Sequence, residues 1–379
     1  MRALQKIAPR SGALELVEVP APPCGPGEVL VRVQAASLCG TDAHIYSWDG
    51  SVRDKMLAAT GSFARPLIVG HEFCGEVVEV GRAVRGVGEG GAEPIRPGDF
   101  VSAESHIVCG VCTQCRNGEF HVCTRETIIG VQRDGGFAEY VALPAGCAWI
   151  NDRSVVPVEV ACIEEPFGNA VHAATEAGLR DRSVVIFGAG PIGLFSVIVA
   201  AAEGAARIVV VDAAPYRLDL ATRVGADRVL RTSPAPAGDQ EARRRERERL
   251  SEQIREAVAP GDVDRVMEMS GHPDAIDTAL RAVRRGGTVV LFGLPKQSAI
   301  TFERYAEDLI FGGVTLKGII GRRLYATWTK TRELTARAEV RAKIRTVITH
   351  TFPLARFEDA YRQMIGLESG KVILRVAEE

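Results

Sequence analysis

The sequence predicts an α/β chain of two domains, one β-rich and assembled from both chain ends, the other a doubly wound parallel sheet inserted between them. Three observations carry this. At 379 residues the chain is too long for one ordinary core. Before Ser154, short apolar or alternating runs are punctuated by Gly and Pro. After it, apolar runs alternate with helical patterns, the rhythm of a parallel sheet.

Taken in order, the first strands are expected at Leu14 to Val19, Val29 to Ala35, Gly75 to Val80, Asp99 to Ser102 and Phe137 to Val141, with turns at APPCGPGE and IRPGD. The segments SVVIFGAG, RIVVVDA, DRVME, GGTVVLFG and VTLKGII are candidate buried strands of the second domain. The carboxyl end returns to the first texture: THTFPL, a helix from Phe357 to about Met364, then the strand KVILRV. The charge run EARRRERER mixes both signs and reads as a solvated helix face behind the connector SPAPAGD.

Composition narrows the function. Lys plus Arg is 46 against 48 Asp plus Glu, a formal net charge of −2, so a nucleic-acid partner is not expected. No apolar run approaches the roughly 20 residues that span a bilayer, and the opening MRALQKIAPRSG has no apolar export core. The expectation is a cytoplasmic protein without a membrane partner. Of nine cysteines, four lie between Cys109 and Cys123, which points to metal chemistry rather than disulfides.

Three motifs carry chemistry. The strand SVVIF runs into Gly188, Gly190 and Gly193 of G-x-G-x-x-G and then an apolar helix, and a second strand ends in Asp212. Glycines there allow a tight turn and close approach of a pyrophosphate to a helix N-terminus. A carboxylate 19 residues past Gly193 accepts from ribose hydroxyls and repels a 2′-phosphate, so NAD is the expected cofactor. Cys109, Cys112, Cys115 and Cys123 supply four thiolates within 15 residues, as a structural zinc requires. Cysteine spacing does not identify the metal, and an iron–sulfur cluster competes. Cys39, His71 and Glu72 are a looser set, and each alone is more often a core thiol or a satisfied polar pair. Beside a zinc loop and a dinucleotide fold they read as a catalytic zinc site with one open position.

With these residues assembled, the chain resembles the zinc-dependent medium-chain alcohol dehydrogenases, and within them the branch that acts on L-threonine. The resemblance rests on CGTDAHIYSWD, GHEFCGEVVEVG, SHIVCGVCTQC, GGFAEYV, EEPFGNAVHAA, GAGPIG, MEMSG, KGIIGR, VITHTF and SGKVIL, and covers nearly the whole chain. It implies a GroES-like catalytic domain over residues 1–154 and 321–379, a Rossmann coenzyme domain over 155–320, a catalytic and a structural zinc, a secondary-alcohol substrate and a homotetramer. Carried across by position, Cys39, His71 and Glu72 match catalytic zinc ligands, and the loop cysteines match structural ones. Thr41 and His44 match a proton relay, Glu165 an acidic residue near the metal, and His106 a histidine tied to substrate choice. Ile192, Asp212, Arg217, Phe292, Gly293, Leu294, Ile319 and Ile320 match coenzyme contacts.

The chain also departs from the branch. It carries extra residues after Trp48 (roughly 51–64) and before the PGD turn (roughly 87–95), Ile320 replaces an aromatic, and Arg323 replaces an acidic residue. The first insertion adds Arg53, Asp54 and Lys55 next to the relay segment. It therefore leaves open a polyol, amino-polyol or phosphorylated alcohol in place of threonine. A non-catalytic NAD-binding protein of the same fold, or a zinc-free reductase, would have lost the metal ligands, and here all are present.

Overall fold

The computed structural model describes residues 1–58, 63, 65–233, 238–295, 299–366 and 368–377. Residues 59–62 and 64 of the first insertion and 234–237 of the connector SPAPAGD lie outside the described residues.

Strands β1 (Arg2–Lys6), β2 (Leu14–Glu18) and β4 (Leu67–Ile68) form a small antiparallel sheet in the order β2-β1-β4. The main sheet of the first domain is centred on β3 (Glu28–Ser37). Val29, Val31 and Val33 alternate inward there, as period-two patterning requires. Two helices, α1 (Gly40–Ser47) and α2 (Gly50–Ala58), intervene before β5 (Glu72–Val80), which pairs with β3 so that Ser37 lies opposite Glu72. The sheet continues through β6 (Phe100–Ala103) to β10 (Ala148–Asn151), with β9 (Tyr140–Pro144) beside the start of β3. A lobe carrying β7 (His106–Ile107), α3 (Thr113–Arg116) and β8 (Thr127–Ile128) projects from it.

After α4 (Val158–Ala161) and α5 (Glu164–Ala177), six strands form a wholly parallel sheet. They are β11 (Ser183–Phe187), β12 (Arg207–Asp212), β13 (Arg228–Arg231), β14 (Arg265–Glu268), β15 (Thr288–Leu291) and β16 (Thr315–Gly318), in the order β13-β12-β11-β14-β15-β16. Its helices are α6 (Pro191–Ala202), α7 (Pro215–Val224), α8 (Gln240–Val258) and α9 (Pro273–Ala282). All five residues of β11 are buried, because helices cover both faces of a parallel sheet. The strand order reverses between β11 and β14, and that crevice is where α/β sheets take ligands.

Helices α10 (Ala326–Thr335) and α11 (Ala338–Val347) pack on α5, α6 and α7. Then β17 (Ile348–Pro353), α12 (Phe357–Ile365) and β18 (Lys371–Arg375) return to the first domain, where β18 pairs antiparallel with β3. The carboxyl-terminal strands therefore complete the sheet centred on β3.

Two expectations are corrected. Sequence reading missed β13, because RVLR is an edge strand with exposed charged ends and no apolar run. The charge run is not a purely solvated face. Arg247 is buried, with contacts to Asp274 at 2.7 Å, Asp277 at 3.2 Å and Glu303. It docks α8 onto α9, and a 3.6-residue period turned this one arginine inward.

Candidate active site

Two strand ends and a helix start build the first cluster. Cys39 precedes α1, and its backbone N–H donates to Asp42 Oδ2 at 2.8 Å, which caps the helix. Gly70 has φ +93°, and a side chain there would strike the Phe137 ring, so only glycine makes the turn that delivers His71 and Glu72. Ligand atoms of Cys39, His71 and Glu72 all lie within 4.8 Å of one another. Glu72 Oε1 is buried and lacks a hydrogen-bond partner. Orphaned polar atoms in a protein interior are costly, and a thiol, an imidazole and a carboxylate are the donors zinc takes. The residues fit the ion.

The surroundings hold this set in place. Asp42 Oδ1 lies 3.9 Å from His71 Nδ1, too far for a hydrogen bond but near enough to set a carboxylate's charge behind the imidazole. Burial pushes the Asp42 carboxyl up to about 6 against the pull of His71. Glu72 Oε2 is taken by Ser37 Oγ and by Lys371 Nζ at 2.5 Å, while Lys371 also donates to the Leu38 carbonyl at 2.7 Å. Lys371 therefore balances the carboxylate's charge and leaves Oε1 facing the cluster. Thr41 Oγ1 sits 3.9 Å from Cys39 Sγ. One turn later His44 is half-exposed, with Nδ1 2.6 Å from Asp49 Oδ1. Helix α1 thus leads from the buried cluster to the surface.

A second wall comes from the two domains together. Glu104, Ser105 and His106 follow β6, Glu165 lies on α5, and Arg322 follows β16. Glu165 is buried; its Oε1 accepts from Ser105 Oγ at 2.6 Å and pairs with Arg322 Nη1 at 2.9 Å. Arg322 is fully buried and also grips Glu104 and Asn169 Oδ1. A Cβ on Gly168 would lie 2.6 Å from Arg322 Cδ, so that glycine makes room for the arginine. The charge of Glu165 reaches His71, which puts this wall beside the metal cluster.

Four thiols gather in the lobe, with no disulfide among them. Backbone N–H groups of Cys109, Cys112, Cys115 and Arg125 point at cysteine sulfurs from 3.4–3.5 Å. The Cys115 N–H pulls the Cys112 thiol down to about 5, while burial pushes Cys115 up to about 12. Four sulfurs this close ionise together only around a cation, and four thiolates fit zinc. Among the described residues the cysteines pack with only Val108 and Phe120, so the lobe has almost no apolar core. Metal binding energy there is folding energy. We expect Cys112→Ser to lose one zinc per chain and to open the lobe to proteolysis between residues 106 and 128; unchanged metal content would argue against this assignment.

The glycine loop adopts the shape its motif requires. Gly188 has φ +91°, and a Cβ on Gly193 would lie 1.8 Å from the Gly188 carbonyl oxygen. Asp212 Oδ2 accepts from the Ala189 N–H at 2.6 Å and Oδ1 from the Ala214 N–H at 2.8 Å, so this carboxylate also braces the loop. A cavity of about 190 Å³ lies beside it, lined by Gly188, Asp212, Thr232, Arg243, Glu246 and His272. Ile192 and Ile319 are half-buried against the core, and Arg217 is half-buried with Nε unpartnered. Phe292 and Gly293 lie half-buried at the end of β15, and a Cβ on Gly293 would meet the Gly271 nitrogen. Leu294 and Ile320 are exposed. An open crevice, a glycine turn at a helix start and a terminal carboxylate fit a dinucleotide.

The structure assembles Cys39, His71, Glu72, Glu165 and His106 around one region and leaves Thr41 and His44 on the helix beside it. Sequence reading missed Asp42, Glu104, Arg322 and Lys371. Asp42, Arg322 and Lys371 lie inside quoted motifs, but nothing in their spacing marks them as buried. Of the insertion charges, Arg53 pairs with Asp54 at 2.8 Å and Lys55 with Glu126 at 3.0 Å. Glu93 of the second insertion pairs with Arg332 at 3.1 Å. Among the described residues no helix is long and apolar enough to cross a membrane.

Comparison with known proteins agrees with the geometry. Residues 25–152 match the alcohol dehydrogenase GroES-like domain and residues 191–337 the zinc-binding dehydrogenase domain. An L-threonine 3-dehydrogenase of Symbiobacterium thermophilum is 42% identical over 375 residues, covering 99% of this chain and 97% of that protein. A zinc-binding dehydrogenase of Sinorhizobium meliloti, solved with NADP, is 29% identical with a TM-score of 0.81 and 99% of each chain covered. An alcohol dehydrogenase of E. coli CFT073, solved with NADH, is 25% identical with a TM-score of 0.80 and 99% of each chain covered. The chain therefore belongs to the zinc-dependent medium-chain alcohol dehydrogenases, the enzyme family that includes the L-threonine 3-dehydrogenases.

Proposed function

We propose that the enzyme oxidises L-threonine to 2-amino-3-oxobutanoate with NAD⁺. The observation that carries this reading is the wall of Glu104, Glu165 and His106 beside the Cys39, His71 and Glu72 cluster, in a chain 42% identical to an L-threonine 3-dehydrogenase. A threonine has an alcohol to present at the metal cluster and an ammonium to place on a carboxylate.

Cys39, His71 and Glu72 would hold a catalytic zinc, whose chemistry when bound is to polarise an alcohol oxygen as a Lewis acid. The Gly188 to Gly193 loop, Asp212 and Arg217, with Ile192, Phe292, Gly293, Leu294, Ile319 and Ile320 along the crevice, would hold NAD⁺, which supplies the hydride acceptor. The chain's own residues manage protons and orientation. Thr41 offers a hydroxyl beside Cys39, and His44, backed by the Asp49 carboxylate, carries the alcohol's proton out along α1. Glu165 accepts from the substrate ammonium. The Asp212 carboxylate disfavours a 2′-phosphate and so favours NAD over NADP.

The reading divides the chain into a GroES-like domain over 1–154 and 321–379 and a coenzyme domain over 155–320. It gives each chain one catalytic and one structural zinc, places the enzyme in the cytoplasm and makes it a homotetramer. The insertion charges are paired within the chain, which supports threonine over an anionic substrate.

The test is kinetic. Purified enzyme, loaded with zinc, should give its highest kcat/KM with L-threonine and NAD⁺ across a panel of threonine stereoisomers, polyols, amino alcohols and phosphorylated hydroxy compounds. A polyol or phosphorylated alcohol outperforming threonine would replace this substrate, and equal use of NADP⁺ would remove the role given to Asp212.

A further inference from the structure

Beside the metal cluster lies a buried network whose hydrogens can all be assigned, and the assignment decides which nitrogen of His106 is protonated. Glu104 stands at its centre and is almost fully buried. A carboxylate only accepts. Its Oε1 takes the His106 backbone N–H at 2.8 Å, faces His106 Nδ1 at 3.0 Å and takes Arg322 Nη2. Its Oε2 takes Arg322 Nε and the Trp328 indole N–H, both at 2.8 Å.

An unprotonated Nδ1 would face the Glu104 carboxylate oxygen lone pair to lone pair at 3.0 Å, and the other neighbours of Nδ1 have oxygen acceptors for their hydrogens. Arg322 Nη2, 2.9 Å from Nδ1, carries two hydrogens; Glu104 Oε1 takes one and Ser105 Oγ, at 3.1 Å, takes the other. The single hydrogen of Ser105 Oγ, 3.2 Å from Nδ1, goes to Glu165 Oε1 at 2.6 Å. What fills the gap between Nδ1 and the carboxylate is the imidazole's own hydrogen. Neutral His106 then carries its lone pair on Nε2.

Charge follows from the same contacts. Glu104 and Glu165 bring two negative charges and Arg322 one positive, so the wall is left with one net negative charge. The Glu165 carboxylate meets Ser105 and Arg322 through Oε1, leaving Oε2 without a protein donor among the described residues.

We propose that Glu104, braced by Arg322, is a positioning residue for substrate choice: it holds His106 with the hydrogen on Nδ1, so that Nε2 and Glu165 Oε2 together accept a substrate ammonium. This rests on the reading of an amino-alcohol substrate given above. An amine adds the one positive charge the wall lacks. A polyol leaves that charge unbalanced, and a phosphate is repelled by it.

Glu104→Gln tests this, because an amide can turn its NH₂ towards Nδ1 and reverse the tautomer while removing the excess charge. The KM for L-threonine should rise about tenfold or more, the usual cost of losing an outer partner. The kcat/KM for 3-hydroxybutanoate, the same alcohol without the amine, should change less than about threefold on the same argument, and Glu104→Asp should restore part of the threonine KM. Equal losses on both substrates would mean that the wall has merely collapsed, and would overturn the proposal. Independently, NMR of the ¹⁵N-histidine-labelled wild type, with the His106 signals identified by their loss in His106→Gln, should show hydrogen on Nδ1. Hydrogen on Nε2 overturns the proposal even if the Gln variant does not fold. A wild type with hydrogen on Nδ1 that fails to oxidise threonine sinks the threonine reading and leaves the tautomer assignment supported.

Discussion

Cys39→Ala should yield a folded protein that binds NAD⁺ and turns over its alcohol at least about a thousandfold more slowly, since Lewis-acid stabilisation by a metal is worth several kcal/mol. The fold should survive because the substitution removes only the sulfur's half of the α1 capping box and keeps the Cys39 backbone N–H on the Asp42 carboxylate. The coenzyme loop lies in the other domain and keeps its own brace, Asp212 against Ala189 and Ala214. Zinc content should fall by one per chain, the lobe retaining its ion. The measurements are metal analysis, NAD⁺ titration and steady-state turnover. Near-normal turnover would show Cys39 to be a core thiol, and loss of both zinc ions would mean that the two clusters are not independent.

Arg322→Met should be the most destabilising single change in the pocket wall, at about 3–5 kcal/mol, because it strands buried charge. Burial by itself pushes the Glu104 carboxyl up; the Arg322 guanidinium and His106 outweigh it and hold the group well below the usual carboxylate range. A folded-state pKa below the unfolded value of about 4.3 contributes stability that is complete above that value and is lost as pH falls towards the folded one. Without Arg322 the sign reverses. Burial then raises the Glu104 carboxyl unopposed by the guanidinium, so the variant should be most destabilised at neutral pH and recover relative to wild type as the pH falls towards 4. Arg322→Met with Glu104→Gln should recover part of the loss, since one stranded charge is removed. Thermal unfolding from pH 4 to 8 reads all three. A pH-independent difference would assign the loss to the cavity left beside Gly168 rather than to charge.

The amino-acid sequence was most informative where chemistry is local. The four cysteines within 15 residues, the glycine loop between a strand and a helix, and the aspartate ending the next strand are each readable because chain connectivity alone brings their parts together. The parallel sheet was legible for the same reason: a strand buried on both faces has to be apolar along its whole length. The edge strand Arg228–Arg231 escaped because an edge need not be apolar. Arg247 was misread because its charge, taken from composition, said nothing about which side of α8 it would occupy.

By itself, then, the sequence determined the fold class, the family, the cofactor motif and the candidate ligating residues. The tertiary structure decided which carboxylates are balanced and which are left to act. Glu72 is balanced by Lys371, almost 300 residues away, and Glu104 and Glu165 share one arginine that arrives from beyond the end of the parallel sheet. Those pairings are set by the return of β18 to β3 and by the docking of Arg322 over Gly168. The physical reason is that a buried charge takes its protonation state and direction from whatever lies within a few ångströms, and those neighbours come from distant parts of the chain that only folding brings together.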